Sequence, residues 1–154
     1  MKPYKFNPIK DLNLDIPRNK RKDALEAAAD LIKTEMLDYI GEGKSPVSGF
    51  GKFPGYSKNY KTFKKDHSSS STVNLELTGE MLDALTVENI GSNINVYING
   101  DEKLQGKAEG NNIGTYGTSR TIEGKVRRFI PLDGEKFKRD ILSKLRDLLS
   151  DYEE

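Results

Sequence analysis

The chain has no cysteine. Disulfides, thiolate metal sites and cysteine nucleophiles are excluded, and the stability of the fold is expected to be independent of redox compartment. Histidine is almost missing too. His67 is the single one, next to the serine run Ser68 to Ser71, where a solvated surface histidine is expected rather than a catalytic base. No apolar run approaches the roughly 20 residues of a membrane span. The opening MKPYKFNPIKDLNL has no apolar stretch, so no signal peptide is expected, and the chain is expected to be soluble and made in cytoplasm. An excess of one charge is also absent. The net charge is +1, so no global field marks a nucleic-acid binder. GxSxG, HExxH, P-loop and dinucleotide patterns do not occur. GFGKFPG has the glycines of a phosphate loop, but no strand is expected before it and no helix straight after it. Carboxylates are plentiful, yet none are spaced in a way that stands out from helix-surface charge. No enzymatic activity, cofactor or metal is expected.

Apolar residues are also scarce, at 34% with tyrosine counted, against 32% charged. Ordinary domains carry about 45–50% apolar counting glycine, and about 25% charged. One modest core is therefore expected within 154 residues, with long polar loops and some surface that becomes buried only on assembly.

The apolar residues that are present are strongly periodic. Residues 1–20, punctuated by Pro3, Pro8 and Pro17, are expected to form an extended arm. Ile9, Leu12, Leu14 and Ile16 give it points that dock on its own domain or on a neighbour. A single domain is expected over 21–154. Leu25, Ala28, Ala29, Ile32, Met36, Tyr39 and Ile40 recur at three and four, which predicts a helix near 20–40 ended by Gly41 and Gly43. Residues 41–72 are loop-like, with a short helix expected from Ser57 to Phe63. VNLEL predicts a strand. LTGEMLDAL predicts a turn and helix capped by Thr78, with Leu77, Met81, Leu82 and Leu85 inward. TVENI and NINVYIN predict a hairpin turning at Gly91-Ser92, with Ile94, Val96 and Ile98 on one face. A helical turn or two is expected around Leu104 and Ala108, then a loop through TYGTSRTIEGK. KVRRFIPL predicts a strand ending at Pro131. The last helix is expected from about Gly134 to Tyr152, with a stripe of Phe137, Ile141, Leu145, Leu148 and Tyr152 broadened by Leu142 and Leu149. The fold class is α+β: a small, mostly antiparallel sheet packed by an N-terminal and a C-terminal helix, with long loops.

Charge is segregated along the chain. Lys2 to Lys22 holds seven basic and two acidic residues, Lys44 to Lys65 six basic and none acidic, and Val73 to Glu102 six acidic and none basic. One reading is solvated surface. The other is that oppositely charged patches of identical subunits meet and set register.

The order of three motifs resembles the phage virion morphogenesis and tail-completion families, including their Mu-like members. A leading helix and the loop SPVSGFGKFPGYSKNYKTFKK come first, then LELTGEMLDALTV, then KAEGNNIGTYG followed by KVRRFIPLDGEKFKRDILSKL. The resemblance covers about residues 20–150. Family members usually carry His or His-Asn near the second motif, just before a glycine, a place taken in this chain by Asn111-Asn112-Ile113-Gly114. The resemblance implies a turn at Thr78 and Gly79 that starts a helix, and a strand opened by Arg127, Arg128 and Phe129. It implies a mechanical role as a non-enzymatic virion protein at the head-tail interface. Copies would form a homo-oligomeric ring, six favoured and twelve possible, that caps the tail tube and joins the neck or connector proteins. Genomic DNA would pass through the lumen without specific recognition, and no membrane is involved. A head-closure or connector adaptor under the portal is the variant of this reading.

Candidate contact residues toward a neighbouring subunit or partner are Lys44, Phe50, Lys52, Phe53, Tyr56, Lys58, Tyr60 and Lys61 in the basic loop, with Arg120, Arg127 and Arg128. The same loop interleaves cations with Phe50, Phe53, Tyr56, Tyr60 and Phe63, which opens a rival reading as a nucleic-acid-binding module that stacks bases and contacts phosphates. The loop at 44–72 and the N-terminal arm are expected to order on assembly.

Overall fold

The apolar positions of the first long helix decide where the core lies. In a computed structural model, which describes residues 1–55, 79–115 and 120–153, Arg21–Gly41 form a helix. Ala24, Leu25, Ala28, Ala29, Ile32, Met36 and Ile40 make its buried face. It ends in a Schellman arrangement: Lys44 N donates to Tyr39 O and Gly43 N to Ile40 O, both at 2.9 Å. Gly43 has φ 73°, a left-handed conformation that glycine adopts without a Cβ clash.

In chain order the elements are β1 (Tyr4–Phe6), α1 (Pro8–Asp11), α2 (Arg21–Gly41), α3 (Glu80–Asp83), β2 (Leu85–Ile90), β3 (Asn93–Ile98), α4 (Glu102–Ile113) and α5 (Arg139–Ser150), with 3-10 turns at Arg18–Lys20 and Glu123–Lys125. The sheet is antiparallel in the order β1-β3-β2 among the described residues. The fold is α+β, as expected, with the N-terminal helix α2 packed on β2, β3 and the C-terminal helix α5. The expected hairpin forms. Gly91 has φ 60° and Ser92 does not share a positive φ, which is the pattern of a type II′ turn suited to the twist of paired strands. Ile94, Val96 and Ile98 are buried on one face of β3, together with Leu85 of β2.

Of the two places open to the N-terminal arm, its own domain is the one it takes: Tyr4 pairs with Val96 and Phe6 with Ile94, and Leu12 and Ile16 are buried in the core. Aromatic packing holds it there. Phe137 meets Tyr4 at 5.7 Å and Phe6 at 5.8 Å between ring centroids, and Tyr4 Oη donates to Glu135 O at 2.8 Å. The turn or two expected around Leu104 is a 12-residue helix, α4, capped by Asp101, whose side chain accepts from Leu104 N at 2.9 Å. The last helix begins at Arg139 rather than near Gly134. The preceding residues stay extended because Ser48 N donates to Lys136 O and Lys138 N to Pro46 O, which pairs Phe137 with Val47. The stripe of α5 is Ile141, Leu145 and Leu149, all buried, while Leu142, Leu148 and Tyr152 are half-buried.

The expected strand over KVRRFIPL does not form, since residues 126–131 carry no strand pairing. Phe129 N, Ile130 N and the Arg128 and Ile130 carbonyls bond to side chains instead, and Arg127 N to the Asn111 carbonyl. The expected VNLEL strand, the Ser57 to Phe63 helix, the Thr78 cap, His67 with its serine run, and part of the TYGTSR loop lie outside the described residues.

Side-chain bonds lock α2 to α5. Lys144 Nζ reaches Glu35 Oε1 at 2.8 Å, and Tyr39 Oη donates to Asp140 Oδ2. Burial, and next the bond to Asp140, push the Tyr39 phenol up to about 12. Burial, and next the Asp11, Glu135 and Asp133 carboxylates, raise Tyr4 to about 12 as well. In the unfolded chain a tyrosine titrates near pH 10. Both folded pKa values are raised, so this stabilisation is complete below pH 10 and is lost as pH rises through 12. The urea midpoint should fall between pH 10 and 12. Tyr4→Phe should show a shallower fall, with about 1 kcal/mol less stability at neutral pH for the missing hydrogen bond. An alkaline slope equal to wild type in Tyr4→Phe would remove Tyr4 as a source.

Candidate functional site

Stretches distant in sequence, the loop at 45–50, the end of α4 and residues 127–135, meet in one polar hub. Its centre is Asn112, on the last turn of α4 and completely buried. A buried amide must find partners within the protein. Asn112 Oδ1 accepts from Phe129 N at 2.9 Å and Ile130 N at 3.0 Å, and its Nδ2 donates to Ile130 O at 2.9 Å. One residue earlier, Asn111 O accepts from Arg127 N at 2.7 Å. The end of α4 thus does for residues 127–130 what a neighbouring strand does in a sheet. Gly114 follows with φ 80°, where a Cβ would stand 2.7 Å from Ile122 O. Only glycine lets the chain pass this close.

Arg128 is held on three sides. Its Nε meets Glu135 Oε1 at 2.9 Å and its Nη2 meets Oε2 at 3.3 Å, a two-point contact that suits the planar guanidinium. Its Nη1 donates to Asn112 O, and its guanidinium carbon lies 4.8 Å from the Phe50 ring centroid. Glu135 Oε1 also accepts from Leu132 N at 2.8 Å. From the first loop, Ser45 Oγ donates to Arg128 O and accepts from Val47 N at 3.1 Å. This set of bonds is architectural, because each group is occupied by another part of the same chain.

Lys44 and Lys52 face each other across an isolated bridge. Lys44 is half-buried with Glu42 at 3.4 Å, while Lys52 and Arg120 are exposed. Phe50 is half-buried under Arg128. Phe53 and Arg127 are buried, and Arg127 Nη2 donates to Gly55 O at 3.4 Å. Phe53 and Arg127 are thus covered within the chain, and half-buried Arg128 is held by Glu135, Asn112 O and Phe50. The 44–53 loop folds back, with Ser45 N on Gly51 O and Phe53 N on Gly43 O, which turns Phe53 inward. Tyr56, Lys58, Tyr60 and Lys61 lie outside the described residues.

A second place was not visible in the motifs. A cleft of about 460 Å³ is lined by Asn7, Ile9, Lys10, Arg21, Lys22, Leu25, Asn89, Gly91 and Ser92. Lys10, Arg21 and Lys22 are all exposed, and no carboxylate is among the lining residues. Arg21 Nε donates to Ile16 O at 2.8 Å, which fixes the base of its guanidinium. Ile90, at the hairpin tip, is exposed to 54%. The excess of cations from Lys2 to Lys22 was the signal available in the sequence, but their meeting with Asn89 and Ser92 is tertiary. Among the described residues, no group of three or more His, Cys, Asp or Glu could hold a metal ion, and no helix is long and apolar enough to cross a membrane.

Comparison with protein-family models, curated proteins and solved structures finds no match for this chain.

Asn112→Ala should unfold the hub. It leaves Phe129 N, Ile130 N and Ile130 O without their partner, at about 1–3 kcal/mol for each buried group. The expected loss in urea titration is about 3 kcal/mol or more, whereas Asn93→Ala on the exposed hairpin should change stability by less than about 0.5 kcal/mol. Equal losses in the two variants would contradict the role assigned to Asn112.

Proposed function

We propose that this chain is a structural subunit of a tailed-bacteriophage particle, a tail-completion protein that works as one member of a ring at the head-tail interface. The observation that carries the reading is that described parts of the first and third resembling motifs meet in one hub. The loop at Ser45 and Phe50, the end of α4 at Asn112, and the Arg128 to Glu135 stretch bond to one another. Motif residues that hold a scaffold together suit a mechanical protein, whose output is shape rather than bond chemistry.

Surface charge supports the same reading. Basic and acidic stretches alternate along a chain of net charge +1, as suits copies that meet one another through opposite patches. The nucleic-acid reading loses support, because Phe50 lies against Arg128 and Phe53 is buried. Two of the five aromatics that would stack on bases are thereby occupied.

The test is the mass of the purified protein across a concentration series, alone and then with isolated tails and DNA-filled heads. A ring, or a subunit that joins the top of the tail as a ring, is the expected result. Binding to heads alone would assign the head-closure variant. A chain that ignores both tails and heads would overturn the proposal.

A further inference from the structure

The hairpin has two chemically opposite ends. At the turn, Lys10, Arg21 and Lys22 surround the cleft beside Ser92. Of the acids close in sequence, Asp11 already accepts from Asn7 N at 3.3 Å and Asp23 lies in the first turn of α2. At the other end, Asn99 N donates to Ala84 O at 2.8 Å, which brings α3 and the start of α4 together. Glu80, Asp83, Asp101 and Glu102 are exposed there, with Lys103 the nearest basic residue in sequence. Six-residue strands at about 3.3 Å per residue separate the two ends by roughly 20 Å. That exceeds the screening length of about 8 Å at physiological salt, so within one subunit the two patches barely neutralise each other.

Apolar surface follows the same polarity. Among the described residues two large hydrophobic side chains are exposed, Ile90 and Leu132. Ile90 flanks the hairpin turn. Leu132 lies on the loop joined to the start of β1 through Lys2 and Asp133 at 2.6 Å, and because β1 runs antiparallel to β3, this is the carboxylate end. Each end therefore pairs an exposed apolar side chain with charge mostly of one sign, Lys2 at the carboxylate end being engaged by Asp133.

We infer that the cationic cleft at the hairpin turn receives the carboxylate end of a second copy of this chain, in a head-to-tail contact. The occupant follows from complementarity: the chain carries both halves of the contact at opposite ends, and neither half can reach the other within one subunit. Such a contact is heterologous, and it closes into a ring where the rotation between copies permits. The inference rests on the ring reading above and assigns its interface.

Two variants test it: Arg21→Glu with Lys22→Glu in the cleft, and Asp83→Lys with Glu102→Lys at the other end. All four side chains are exposed, so melting curves should stay close to wild type, apart from a small loss in the cleft variant, which gives up the Arg21 bond to Ile16 O. Sedimentation velocity at about 50 mM and about 500 mM salt should show wild-type association that weakens with salt. Each reversed variant should need about tenfold or more protein to associate. An equimolar mixture of the two should recover association, since each carboxylate or lysine end then meets an opposite cleft. Wild type that stays monomeric at low salt overturns the inference, as does a mixture that fails to recover. Association unchanged in both variants also overturns it but leaves a ring built on another surface. Assemblies that form as expected yet ignore isolated tails would sink the tail-completion reading and leave this contact standing. Cleft reversal that abolishes retention of a DNA fragment without affecting self-association would assign the cleft to nucleic acid instead.

Discussion

A buried amide must find hydrogen-bond partners, and in this protein the chain around Asn112 supplies them. Its three bonds to Phe129 and Ile130 replace the ladder that residues 126–131 lack. Phe129 and Ile130 can then sit in the core while their backbone groups remain bonded, the condition on which burial of an irregular segment depends. The adjoining Arg128 and Glu135 contact carries the constraint outward. It sets the turn at Leu132 through Glu135 Oε1 and places the Glu135 carbonyl where Tyr4 donates to it. The Asn112 position thus reaches the N-terminal strand through a continuous series of contacts.

That strand matters in turn for the sheet. A two-stranded hairpin is marginal in water, and a third strand with an apolar face makes it stable. β1 is only three residues long, so its backbone pairing needs help. The help is aromatic, with Tyr4 and Phe6 closing on Phe137. Phe137 is available because residues 135–138 pair with the 46–48 loop and do not join α5. The short strand, the late start of the last helix and the folded-back first loop are parts of one arrangement. An N-terminal segment tied down this way is a wall of the subunit, and Lys10 at its far end becomes one side of the cationic cleft.

These parts divide the labour. Asn112, Phe129 and Ile130 lie inward and set the shape. The charge lies outward, with cations gathered at one end of the hairpin and carboxylates at the other. Evenly mixed charge would make surface contacts weak and unspecific, whereas segregated charge gives a contact a direction. A directional contact between identical subunits is what a closed ring needs.

The sequence by itself determined the elements whose burial pattern is local. The three-and-four spacing from Leu25 to Ile40, the alternation of Ile94, Val96 and Ile98, the Gly91 turn and the stripe of α5 each state which face is apolar, and the structure buries those faces. The α+β class follows from them. Tertiary structure alone decided the rest. α4 carries few apolar side chains and two glycines, Gly106 and Gly110, so its helical period is faint; a capping aspartate and buried asparagines settle it. KVRRFIPL has the composition of a strand, but a strand also needs a neighbour, and here the neighbour is the side chain of Asn112. Arg127 and Arg128 look like surface charge in sequence, because charge alone does not disclose a carboxylate and carbonyl partners supplied by other segments. The cationic cleft joins residues from three separated stretches, β1 to α1, the start of α2 and the hairpin tip. Periodicity records which face of an element avoids water, whereas the partner that covers the face is chosen by contacts distant in sequence.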